Sequence, residues 1–76
     1  MSLALLEQSL DDRRALPPPV ARRALRQAAG VSLLAVARAC GVSRQAVAHW
    51  EAGTRHPRDE HLAAYLQALR LLREKA

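Results

Sequence analysis

Two glycine-valine-serine triplets limit how this chain can fold. Gly30-Val31-Ser32 and Gly41-Val42-Ser43 stand at either end of the short run from Leu33 to Cys40. In each triplet a residue that ends a helix is followed closely by one that starts the next. Glycine adopts the positive φ angle common just beyond a helix C-terminus. Serine offers an oxygen to the unpaired N–H groups of a first turn. The chain therefore reads as two short helices, Leu33 to Cys40 and Arg44 to about Ala52, joined across Gly41 to Ser43.

Two short helices across a glycine-containing turn of three or four residues make the helix-turn-helix pattern. The side chains fit it. Val42 is apolar inside a turn, so it is expected to tuck into a core, and Ala37 is small where the two helices must cross closely. Val36, Cys40, Val47 and Trp50 give each helix an inward face. Arg44, Gln45, Ala48 and His49 are left pointing elsewhere. The alternative is an ordinary helical hairpin within a bundle, which asks for neither the small residue nor the polar front of the second helix.

The rest of the chain also reads as helix. Val/Ile/Thr-rich alternation is missing, phenylalanine is absent, and alanine and leucine, both strong helix formers, dominate. Ser2 can cap a first helix to about Arg14 with Leu3, Leu6 and Leu10 on one face. Pro17 to Pro19 break it, and Pro18 or Pro19 opens a second helix to about Ala29. After Gly53 and Pro57, Asp59 is expected to cap a last helix running to about Arg73. The fold class is thus all-α, a five-helix bundle. Residues 1–17 form an N-terminal helix and proline-rich linker, and residues 18–76 a single compact unit. On the last helix Leu62, Tyr65, Leu66, Leu69 and Leu72 fall in one stripe about 120° wide, expected to face the core.

Charge narrows the partner. The net charge of +5 is uneven: residues 1–17 carry −1 and the remainder +6, and eleven of the twelve basic residues are arginine. A basic domain of this size suits a polyanion, because each arginine near a phosphate releases a condensed counterion. The single cysteine, Cys40, has no partner for an internal disulfide, which points to a reducing compartment. No apolar run approaches the roughly 20 residues of a membrane span, and no basic stretch precedes the N-terminal leucines as in a signal peptide. A cytoplasmic protein of a bacterial host, nucleoid-associated or encoded by a phage or mobile element, is expected. His49, His56 and His61 match no zinc spacing, and Cys40 reads as a small core residue. No catalytic constellation or glycine-rich phosphate loop is present, so neither an enzyme, a cofactor, a metal nor a small-molecule ligand is expected.

The stretch Gln27 to Pro57, QAAGVSLLAVARACGVSRQAVAHWEAGTRHP, resembles the helix-turn-helix core of the Cro and lambdoid-repressor family, also called the xenobiotic-response-element family. The likeness rests on both GVS triplets, on Ala37, and on WEAG at Trp50 to Gly53 with Pro57 beyond, and extends over roughly Val20 to Leu72. It implies a lambda-repressor-like domain, here with an extra N-terminal helix, that binds operator DNA as a dimer with the helix 44–52 in the major groove. Carried over by position, Arg44, Gln45 and His49 match base-reading residues, and Ser43, Thr54, Arg55 and Arg58 match phosphate-contacting ones. Arg26 and Glu51 match a structural salt bridge. The departure is Leu33, where relatives commonly carry a glutamine that contacts phosphate and braces the recognition helix; Leu34 and Ala35 are apolar as well.

Elementary chemistry agrees with that assignment. Base edges lie deep in the major groove, so readers belong near a helix N-terminus. Arginine grips guanine bidentately and glutamine adenine, while the short Ala46 and Ala48 keep the helix clear of the groove walls. One recognition helix reads only a few base pairs, so a homodimer on a pseudo-palindromic operator is expected, with Leu71, Ala68 and Ala64 as its contact. Leu3, Leu6 and Leu10 are then free to cover Leu33 and Leu34 within the chain. A second class of function fits the same fold: a protein-interaction module, such as an antitoxin or adaptor, whose exposed leucines meet a partner.

Overall fold

The computed structural model describes residues 2–76. Five helices follow in order: α1 Leu3–Ala15, α2 Pro19–Ala28, α3 Leu33–Cys40, α4 Arg44–Ala52 and α5 Asp59–Lys75. Their starts are local chemistry. Ser2, Ser32 and Ser43 each accept a first-turn N–H on Oγ at 3.1 Å, from Leu5, Ala35 and Ala46 respectively. Prolines stand at the start of α2, where their missing N–H costs nothing. Gly41 closes α3 at φ 70°, in the left-handed region, and the N–H of Val42 reaches back to the Ala37 carbonyl at 3.0 Å. That geometry re-aims the chain within three residues.

α5 is the post around which the others pack; α1, α2 and α3 all lie against it, and α4 rests on α2 and α3. Its inward stripe is Leu62, Tyr65, Leu66, Leu69 and Leu72, all buried, as the spacing predicts. Tyr65, Leu69 and Leu72 pack in one cluster with Val36, Ala37, Cys40, Val47 and Trp50 from the two motif helices. The Trp50 and Tyr65 rings sit 4.6 Å apart between centroids, tilted by 50°, an arrangement favoured over face-to-face stacking. A fully buried leucine stabilises by about 1.5–3 kcal/mol, so this stripe is a principal source of stability.

Two expectations are corrected. Asp59 does not cap α5; it is the first helical residue, Arg58 stands at the cap position, and no side chain caps there. The Asp59 carboxylate turns instead toward α1, where it accepts hydrogen bonds from Ser9 Oγ at 2.9 Å and from Arg13 Nη2. Those bonds, with Ser9 the stronger influence, hold its carboxyl below the usual carboxylate range. The N-terminal leucines, for their part, do not cover Leu33 and Leu34. α1 lies along α5, with Leu5, Ser9 and Asp12 beside Leu62 and Ala63. Leu3, Leu6 and Leu10 remain 84%, 45% and 45% exposed, and Leu34 is exposed too. The Asp59 bonds to Ser9 and Arg13 fasten α1 to the start of α5, and no residue of α1 is buried.

Candidate nucleic-acid interface

α4 is positioned from behind and open in front. Val47 and Trp50 anchor it in the core, while Arg44 and Gln45 in its first turn are exposed. Ala48 and Ala52 continue the outer surface with methyl groups, leaving a low ridge flanked by the His49 ring. Ser43 uses a lone pair on the Ala46 N–H, which leaves its O–H available to an outside acceptor.

Behind α4, two arginines of α2 four residues apart hold its C-terminal end. Arg26 Nε and Nη2 donate to the two Glu51 carboxylate oxygens at 2.6 and 2.9 Å, a bidentate fork. The third arm, Nη1, donates to the Val31 carbonyl at 3.0 Å. The hydrogen bonds to Glu51 raise the Arg26 guanidinium above its ordinary, already high pKa. Arg22 was not singled out from the sequence. It is buried, and donates from Nε to the Pro17 carbonyl at 2.8 Å and from Nη1 to the Trp50 carbonyl at 2.9 Å. Trp50 lies in the last turn of α4, where carbonyls lack helical partners and a cation is favoured. The four-residue spacing of Arg22 and Arg26 placed both on the face toward α4, and that was the signal available.

At the front edge, Gln45 and His49 lie one turn apart on α4, with their Nε2 atoms at 3.3 Å. His49 Nδ1 lies 3.0 Å from Thr54 Oγ1 in the loop after α4. Arg55 and Arg58 are exposed in that loop. An open depression of about 530 Å³ joins these groups on one surface, bordered by Ser43, Gln45, His49, Arg55 and Arg58. Leu33 takes no part in it; it lies beside Arg23, Arg26, Ala48 and Glu51 on the other flank of α4. The groups expected at a dimer contact occupy a separate surface. Ala64, Ala68 and Leu71, the last 52% exposed, line an apolar groove of about 410 Å³ with Val31, Ala35 and Ala39 of the α3 side.

Among the described residues no cluster of three histidine, cysteine or acidic side chains is placed to hold a metal ion. Cys40 is buried against the core, and burial pushes its thiol pKa up, the opposite of what a nucleophile needs. Among the described residues no helix is long and apolar enough to cross a membrane.

A basic, capped helix front set on a glycine turn, with arginines in the following loop, is the arrangement of a DNA-reading motif. No curated protein and no solved structure matches the chain. A family model described as helix-turn-helix matches residues 23–74, from α2 to the end of α5. The chain therefore belongs to the Cro/C1-type helix-turn-helix family, whose domains bind double-stranded DNA.

Proposed function

We propose that this protein is a sequence-specific regulator, a repressor that binds a pseudo-palindromic operator as a homodimer with α4 in the major groove. The observation that carries this reading is the pair of exposed polar side chains, Arg44 and Gln45, at the capped front of a helix whose outer face continues with the short Ala48 and Ala52 and, beside Gln45, with His49. Such a helix can enter the groove without steric conflict and brings both side chains to base edges first. Arg44 suits guanine and Gln45 adenine. Ser43, Arg55 and Arg58 are assigned to phosphates on either side, where they set register and affinity but not sequence.

Dimerisation is assigned to the groove at Ala64, Ala68 and Leu71. Two recognition helices must meet half-sites about 34–36 Å apart, and the narrow alanine face allows close approach of a second helix. Exposed leucines on α1 support a second reading, a protein-interaction module on the same fold. Fluorescence polarisation against genomic and random duplexes across a salt series separates the two. The regulator gives a preferred site for which the logarithm of the affinity falls linearly with the logarithm of salt; the interaction module gives no sequence preference and little binding at physiological salt.

A further inference from the structure

We propose that His49 and Thr54 are a positioning pair that sets which way the Gln45 amide faces, and thereby which base Gln45 prefers; this rests on the reading of Gln45 as a base reader. A short chain of contacts links the three side chains. It begins at the His49 backbone carbonyl, which can only accept. That oxygen receives the Gly53 N–H and, at 3.1 Å, the Thr54 N–H, and the Thr54 hydroxyl donates to it at 3.4 Å. With its proton directed there, Thr54 Oγ1 faces His49 Nδ1, 3.0 Å away, with lone pairs. At the other end of the ring the Gln45 amide nitrogen can only donate, so Nε2 accepts and Nδ1 carries the proton of the neutral imidazole.

The bare Nε2 lies 3.3 Å from Gln45 Nε2 and accepts one of its two amide protons. The amide is thereby oriented with nitrogen toward the ring. One N–H and the carbonyl oxygen remain for the groove. Adenine offers an N7 acceptor beside an N6 donor, which matches that remaining pair; guanine offers two acceptors, N7 and O6, and would set oxygen against oxygen. Both ring nitrogens of His49 are committed inside the protein, so its contribution passes through Gln45. Thr54, outside the helix, supplies the fixed end of the chain.

Two measurements test this together. In the free protein, imidazole nitrogen-15 NMR of neutral His49 is expected to report the Nδ1-protonated tautomer, with coupling from Nε2 to the Gln45 amide. In Thr54→Val the tautomer preference is expected to be lost, and in Thr54→Ser kept. On duplexes carrying each of the four bases at the Gln45 contact, Thr54→Val is expected to reduce discrimination of adenine from guanine by about two- to tenfold, the worth of one hydrogen bond. Thr54→Ser restores it, and Thr54→Val has no further effect in a Gln45→Ala background. An Nε2-protonated tautomer in the wild type overturns the relay. Equal weakening at all four bases, additive with Gln45→Ala, makes Thr54 a simple backbone contact and overturns the specificity role. If the tautomer is as expected but Gln45→Ala leaves base preference unchanged, the base-reading assignment falls, and the specificity role with it.

Discussion

Replacing Glu51 with alanine leaves the Arg26 guanidinium beside Ala48 and Leu33 with no counter-charge. The two side chains are 13% and 7% exposed, so the pair lies close to the buried limit. Breaking a buried ion pair from one side costs about 3–5 kcal/mol, against under about 1 for a solvated pair. The 13% exposure of Arg26, and its surviving bond to the Val31 carbonyl, place Glu51→Ala near the lower end, about 3 kcal/mol. A domain of this size has only about 4–11 kcal/mol in total. At about 4–8 °C per kcal/mol, the melting temperature is expected to fall by roughly 12–24 °C. Thermal and urea unfolding followed by circular dichroism measures it. The double variant Arg26→Met with Glu51→Met removes both charges and keeps the apolar volume, so it is expected to recover much of the loss. A Glu51→Ala melting temperature within a few degrees of wild type, or a double variant less stable than the single one, would refute the account of a desolvated pair holding α4.

Three further outcomes follow from particular contacts. Asp59 has a depressed pKa in the folded state, so its stabilisation of the α1–α5 contact is present above the unfolded carboxylate value of about 3.9 and lost as pH falls through the lower folded value; hydrogen exchange in α1 is expected to accelerate there, and to be insensitive to that change in Asp59→Asn. Gly53→Ala is expected to destabilise more than Gly41→Ala, since both have positive φ but only the Gly53 Cβ would lie 3.1 Å from Pro19 Cγ; urea midpoints compare them. Leu71→Glu is expected to abolish dimer formation on operator DNA while leaving the monomer folded, as sedimentation shows; an unchanged dimer would move the interface to the α1 leucines.

The parts of this molecule legible in its sequence are those that local chemistry decides. Ser32, Gly41 and Ser43 act within a few residues of themselves, so their spacing alone located α3 and α4. The α5 stripe was equally readable, because five apolar residues at helical spacing have one consistent use. What escaped depended on neighbours distant in sequence. Leu3, Leu6 and Leu10 look like a buried face, yet no residue of α1 is buried, and the helix is fastened by the exposed Asp59, some fifty residues on, which binds Ser9. Asp59 looks like a cap because its residue type favours one, but its carboxylate has a better use in Ser9 and Arg13. Arg22 is unremarkable as one arginine among eleven, and its burial makes sense only once the Pro17 and Trp50 carbonyls converge on it. At the candidate interface, residue types placed Arg44 and Gln45 at the front of α4. The contacts linking Gln45 to His49 and His49 to Thr54 needed coordinates.

The central claim is that α4 reads bases through its first turn while the loop beyond it grips phosphate. The most direct test is a paired titration of Arg44→Ala and Arg55→Ala against the preferred site and its single-base variants across a salt series. Arg44→Ala is expected to cost about 1–3 kcal/mol at the preferred site and to relax discrimination at one base position. Arg55→Ala is expected to weaken every duplex alike and to reduce the salt slope by about one unit. An Arg44→Ala protein that keeps the wild-type site preference would contradict the claim.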